Sequence, residues 1–294
     1  MRYDARVRFT CRAATLLTAL ALAAPVAAER PEGSPVVARW QGRWIEAAIV
    51  SATAARATVK IPATGQKAEL AANDVMSWPP VDGDVNASAG DLVLVRYGPL
   101  WLPRRLKSGT ESAVTVQHHG PQDEASCTPC VLVPSEHWRA AVQAEWDTAA
   151  ARGLPAPGLS LEPRGLGARV KAGDVVLFGA RGPAGVWSEG RVRSVSAGKV
   201  TILAIDGNGA EQEAVVEAVR VAPAPSTRRP PRVRVGEMVL HRRVSDARAT
   251  TWTPCRVEGV LNVSIVCTDD EGRTSFDAPG TYAAAAPPVS SARD

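Results

Sequence analysis

The chain has 294 residues, with 34 Lys+Arg against 30 Asp+Glu and a formal net charge of +4. Residues 1–28 read as an export signal and hold four of the arginines and one aspartate, so the remainder carries only about +1. That balance lacks the basic excess phosphate neutralisation demands and disfavours nucleic acid as partner. The remaining stretch of about 266 residues is long for a single core.

The signal has a basic start at Arg2, Arg6, Arg8 and Arg12, an apolar run from Ala13 to Ala24, and small residues at Val26-Ala27-Ala28. The apolar run falls short of the roughly 20 residues that span a bilayer. Cys11 precedes the run, so a lipoprotein layout is not expected. Export to the periplasm or the extracellular space follows, and a preference for Arg over Lys with abundant Ala hints at a GC-rich bacterial genome.

The first unit, residues 34–80, has short alternating runs at Val36–Ala38, Trp44–Val50, Thr58–Ile61, Ala68–Leu70 and Val75–Met76, with turn signals between them. Pro79-Pro80 ends it. A second unit, 90–134, opens at Gly90-Asp91 and continues through Trp101–Leu106 and Ala113–Gln117. It contains an irregular insertion, His118 to Cys130, before Val131–Val133. Ser135 reads as the N-cap of a helix over 135–152, with Trp138, Val142 and Trp146 on one face. Residues 153–168 read as a Pro/Gly-rich linker. The third unit, 173–221, is the most regular, and its turns Ser196-Ala197-Gly198 and Asp206–Gly209 suit positive φ. Residues 222–235 form a second linker, 236–282 a fourth unit, and 283–294 a tail without periodicity, expected to be disordered.

One pattern recurs through the units: Gly-acid-apolar-x-apolar, then a Trp about ten to sixteen residues later. Asp91 leads to Trp101, Asp174 to Trp187 and Glu237 to Trp252, while a degenerate copy at Pro35–Arg39 leads to Trp44. In the third unit, Gly173-Asp174-Val175-Val176-Leu177, Trp187-Ser188-Glu189-Gly190-Arg191-Val192 and the Ile205-Asp206-Gly207 turn resemble the Tudor and agenet family of small SH3-like barrels. The resemblance implies an all-β fold of four tandem SH3-like, Tudor-like barrels with one inserted α-helix, arranged as two pairs separated by the helix and first linker. It also implies a binding role. Family members that bind methylated Lys or Arg use an aromatic cage, and no copy here shows a full one. Trp40, Trp44 and Trp78 form the best partial set, followed by Tyr97 with Trp101. Each repeated Trp can be a recognition residue or a core residue packed over a barrel end. Trp187 is expected to be core and Trp44 to be surface.

Four cysteines remain beyond the signal. Cys255 and Cys267 flank a hairpin centred near Leu261 at matching distance, which suggests a cross-strand disulfide. Cys127-Thr128-Pro129-Cys130 is most simply a local disulfide pinning the insertion. A redox pair, or a zinc site with His118, His119 and His137, remains as an alternative. Neither Asp206–Gly209 nor Asp269–Gly272 continues as a calcium loop. Arg242, Arg243 and Arg248 extend a basic stretch from Arg228, Arg229, Arg232 and Arg234, a candidate anion-binding face. No nucleophile elbow, zinc-protease helix or phosphate loop is present. The expectation is an exported, non-catalytic binding protein without cofactor or metal, recognising a protein or cell-envelope polymer. The alternatives are a periplasmic thiol-redox or metal-handling protein centred on Cys127 and Cys130, and a structural spacer.

Overall fold

The repeated Gly-acid pair is explained by the turn that starts each unit. In the computed structural model, Gly90, Gly173 and Gly236 take φ of +95°, +90° and +93°, a left-handed region that glycine enters without steric cost. The following acid then closes the turn. Asp91 Oδ2 accepts the Ser88 N–H at 2.8 Å, Asp174 Oδ2 the Lys171 N–H at 2.9 Å, and Glu237 Oε2 the Arg234 N–H at 3.1 Å.

The structure describes residues 30–79, 87–109, 114–117, 123–126, 131–179, 186–206, 208–245 and 248–285. Residues 1–28, expected to be an export signal, lie outside these residues with the Cys127/Cys130 motif, His118, His119 and the tail from residue 286.

The first barrel comprises β1 (Pro35–Trp40), β2 (Arg43–Ala52), β3 (Arg56–Ile61), β4 (Gln66–Ala71), a 3-10 turn and β5 (Val75–Ser77). The strands form an antiparallel meander in which β5 returns to pair with β1. This is the SH3-like arrangement. The second barrel repeats it with β6 (Leu92–Tyr97), β7 (Leu100–Gly109), β8 (Val114–Gln117), β9 (Asp123–Ser126) and β10 (Val131–Leu132), and α1 (Glu136–Arg152) follows. The third has β11 (Val175–Phe178), β12 (Trp187–Ser196), β13 (Lys199–Ile205), β14 (Glu211–Glu217) and β15 (Val221–Pro223). The fourth has β16 (Met238–Val244), β17 (Thr250–Leu261), β18 (Ser264–Asp269), β19 (Thr274–Asp277) and β20 (Tyr282–Ala284). The protein is therefore all-β with a single helix among the described residues.

Each second strand carries a register shift at the same place, beginning at Ile49, Leu106, Val192 and Val257, five residues after its Trp. Such a bulge bends the strand, so one half pairs forward and the other turns back to close the barrel. Apolar residues fill each barrel, as in the third, where Val176, Phe178, Val192, Val200, Ile202 and Val221 form one buried cluster.

The barrels do not hang as separate beads. β2 pairs with β7 and β12 with β17, which makes two ten-stranded sheets of two barrels each. The two pairs also touch. Leu261 and Val266 of the fourth barrel belong to the same apolar cluster as the first barrel's core and Leu100 of the second. Arg104, 1% exposed on β7, reaches Glu258 at 3.0 Å and Thr274 at 3.2 Å.

Two segments outside the barrels are packed, and the expected disulfide is present in a shifted register. The 153–168 segment is packed rather than free, since Leu161 is buried and its carbonyl accepts the Trp187 indole N–H at 2.7 Å. The tail beginning at Ala283 is ordered through Ala285, because Ala283 and Ala284 pair with Leu240 and Val239 and Ala285 bridges to Pro163. The Cys255–Cys267 disulfide is present with Cα atoms 5.7 Å apart, but the two residues are diagonal rather than opposite. Cys267 faces Val257 and Cys255 faces Asp269, because the turn falls after Leu261 and the bulge adds a residue to β17.

Candidate functional site

The four repeated Trp residues occur as two directly opposed pairs at the seams between barrels: Trp44 faces Trp101, and Trp187 faces Trp252. Their exposures are 1%, 0%, 5% and 0%, so the expectation that Trp44 stands at the surface is corrected. A seam made of few ladder pairs must be sealed by side chains. Each Trp contributes about 4 to 6 kcal/mol of gross apolar burial, before entropy is subtracted. An ion pair crosses each seam at an equivalent place: Arg96 to Glu46 at 2.7 Å, and Arg242 to Glu189 at 3.1 Å.

The expected aromatic sets do not converge. On β1 and β2, Arg39 faces Trp44 and Trp40 faces Arg43. Side chains alternate across a strand, so Trp40 points to the opposite face from Trp44. Trp40 packs on the first barrel's core, whereas Trp44 stacks edge-on to Trp138 of α1 with centroids 5.0 Å apart. Trp78 lies edge-on to Trp101 at 5.3 Å. Tyr97 is separated from Trp101 by the same alternation and lies under the Arg104 guanidinium at 4.9 Å. No cage of three or four exposed rings forms from these residues.

The Trp44–Trp101 seam does form one wall of a cleft of about 230 Å³. Helix α1 supplies Glu145, Thr148, Ala149 and Arg152, the β1–β2 turn supplies Gln41 to Arg43, and the far side is closed by Glu258 and Gly259 of the fourth barrel with Val235 of the segment before it. The helix forms where Ser135 begins it and Gly153, at φ +65°, ends it. Its buried face of Trp138, Val142 and Trp146 docks it beside the seam and points Glu145 inward.

Glu145 Oε2 accepts the Trp44 indole N–H at 2.6 Å. Burial raises its pKa to about 7, against the lowering effects of that hydrogen bond and of the Arg39 and Arg152 charges. The Trp101 indole nitrogen, fully buried at the cleft wall, has no hydrogen-bond partner among the described residues. A buried donor left unmade costs about 1 to 3 kcal/mol. Its counterpart Trp252 donates to Glu189 at 3.0 Å, so the free donor is specific to the seam with the cleft. The cleft thus sets the Arg152 guanidinium and the Glu145 carboxyl, its pKa raised to about 7, beside the apolar wall of the seam.

Two of the three candidate arginines in the fourth unit are engaged. Arg242 is held by Glu189, and Arg243 contacts Asp269 and His241. Burial, with Arg273 second, lowers the Arg243 pKa. Arg248 is exposed in the loop at φ +65°. The cleft itself was not legible from motifs, because its residues come from three units and the helix. The one sequence signal was the acid two residues after Trp in the first and third units, Trp44-Ile45-Glu46 and Trp187-Ser188-Glu189, against proline there in the second and fourth, Trp101-Leu102-Pro103 and Trp252-Thr253-Pro254. That alternation marks a two-barrel period.

No family model and no curated protein matches the chain. Among solved structures, it is similar to the Arabidopsis thaliana AGDP1 AGD34 structure at 17% identity, covering 37% of this chain and 85% of that one, with a TM-score of 0.27. It is also similar to the ADCP1 tandem Agenet domain 3-4 structure at 18% identity, covering 37% and 83%, with a TM-score of 0.26. Scores this low do not establish a shared fold, and the architecture above rests on the chain's own strand pairing. No helix among the described residues is long and apolar enough to cross a membrane.

Proposed function

We propose that the protein is an exported, non-catalytic binding protein whose recognition element is the cleft between the first barrel pair, helix α1 and the fourth barrel. The partner class is a protein or cell-envelope polymer presenting acceptor-rich groups. The observation that carries this reading is a cleft of about 230 Å³ that sets the Arg152 guanidinium and the Glu145 carboxyl beside the apolar wall of the Trp44–Trp101 seam. Export is supported by the basic start, apolar run and small residues of positions 1–28.

The test fills the cleft without disturbing the seam. Thr148 is exposed and its hydroxyl only back-bonds to Ala144 within the helix, so Thr148→Trp should leave the melting transition nearly unchanged. Capture of purified envelope polymers and envelope proteins should fall at least about tenfold in this variant, the loss of about 1.4 kcal/mol of contact. Capture equal to wild type would refute the cleft as the binding site.

A further inference from the structure

The four barrels serve as controls for one another, and the fourth breaks their pattern. At the position of His241 the first three barrels carry Ala38, Val95 and Phe178, all buried and apolar. At the position of Cys267 they carry Val59, Val116 and Ile202. Where Asp277 stands, the first and third barrels have Leu70 and Val216. Strand pairing thus brings a histidine, a carboxylate and two cysteine sulfurs into a space that the first and third barrels fill with hydrocarbon.

His241, Cys255, Cys267 and Asp277 are 4%, 0%, 0% and 7% exposed. Their ligand atoms all lie within 4.8 Å of one another. Asp277 Oδ2 is 3.1 Å from Cys267 Sγ, 3.0 Å from Ser275 Oγ and 3.7 Å from His241 Nδ1. A buried carboxylate is normally paired or bound to a cation, and two sulfurs, one imidazole and one carboxylate form a donor set suited to tetrahedral zinc.

We propose that this cluster is a redox-gated site for a zinc-class divalent cation, occupied when Cys255 and Cys267 are reduced and closed when they form their disulfide. A dithiol reductant supplies two electrons and two protons, breaks the Cys255–Cys267 bond to give two thiols, and itself becomes a disulfide. The metal then displaces the two thiol protons to solvent. In a tetrahedral site the two sulfurs stand about 3.8 Å apart, given zinc–sulfur bonds of about 2.3 Å. Metal binding through His241 Nδ1 places the ring proton on Nε2, and Arg243, 3.3 Å from Nε2 and also in contact with Asp269, gives up the imidazole contact. Access is through β19, a four-residue edge strand hydrogen-bonded only to β18 among the described strands.

The test uses the full chain carrying Cys11→Ser, Cys127→Ser and Cys130→Ser, which leaves only the two cysteines of the fourth barrel. After phosphine reduction, cobalt(II) is titrated as the probe. The proposal predicts one equivalent bound with thiolate charge-transfer absorption and tetrahedral visible bands, displacement by zinc, and no such spectrum from the oxidised chain. His241→Gln and Asp277→Asn should each weaken cobalt binding at least about tenfold. Reduced, folded chain that binds no cobalt, or an affinity unchanged by both substitutions, would overturn it. If either variant fails to fold by circular dichroism, the titration of the reduced chain with His241 and Asp277 intact decides alone.

Discussion

Glu145→Gln isolates the chemistry of the cleft. Glutamine keeps an oxygen for the Trp44 indole N–H, now 2.6 Å from the carboxylate, but does not titrate. Glu145 has its pKa raised from 4.5 to about 7, chiefly by burial, so the native state holds its proton more tightly than the unfolded chain. Between those two values the native state binds more protons, and stability must fall as pH rises through this window before levelling off above it. At 1.36 kcal/mol per pKa unit the full effect is about 3 kcal/mol, and partial solvent access to the cleft reduces it to about 2 to 3. The assay is urea or thermal unfolding of both proteins from pH 4.5 to 8.5. Other titrating groups are common to both and cancel in the difference. The two should be nearly equal in stability near pH 4.5, and the variant should be the more stable by about 2 to 3 kcal/mol at pH 8, a gap of about 5 to 10 °C in Tm for a chain of this size. Parallel stability curves across the range would refute a buried, neutral-pH carboxyl at this seam.

Three further outcomes follow from the packing. Arg104→Ala should cost about 3 to 5 kcal/mol by removing a buried guanidinium bonded to Glu258 and Thr274 at the contact between barrel pairs, and limited proteolysis should then cut between the pairs. Milder loss in Arg104→Met would fit the same account, whereas an Arg104→Ala Tm equal to wild type would contradict it. Reducing the Cys255–Cys267 bond, which closes a short loop of sequence separation 12, should lower stability by about 3 kcal/mol in metal-free buffer, read as a shift in the urea midpoint. Gly190→Ala should destabilise the third barrel by about 1 to 3 kcal/mol, because a Cβ there meets Ile202 Cγ2 at 2.5 Å and the Leu203 carbonyl at 2.7 Å. An unchanged melt would show that β12 and β13 have room to part.

Local periodicity made the strands and the helix legible, since alternation at Val200–Ile205 and the spacing of Trp138, Val142 and Trp146 each require only neighbouring residues. The same reasoning points to the Cys255–Cys267 bond but not to its diagonal register, because the chain turns at Asn262-Val263 rather than at Leu261 and the bulge in β17 offsets that shift by only one residue. The role of the repeated Trp was misjudged for Trp44. A Trp that opens a strand looks alike in sequence whether it faces solvent or another Trp across a seam, and only the β2–β7 pairing decides. The His241–Asp277 cluster spans 36 positions and the cleft more than 200, so no local pattern announces them. The internal repeat held more than its strands: the alternation of acid and proline two residues after each Trp already separated odd barrels from even ones.

Photo-crosslinking from the cleft tests the central claim most directly. A photoreactive residue is placed at Thr148, and separately at Val219, which is 62% exposed on the third barrel and away from the cleft lining. Both proteins are irradiated in envelope fractions. The account predicts a saturable adduct at position 148 that excess unlabelled wild type suppresses and excess Thr148→Trp does not, with none at position 219. Equal labelling at both positions, or an adduct at 219 alone, would contradict a binding site at the cleft.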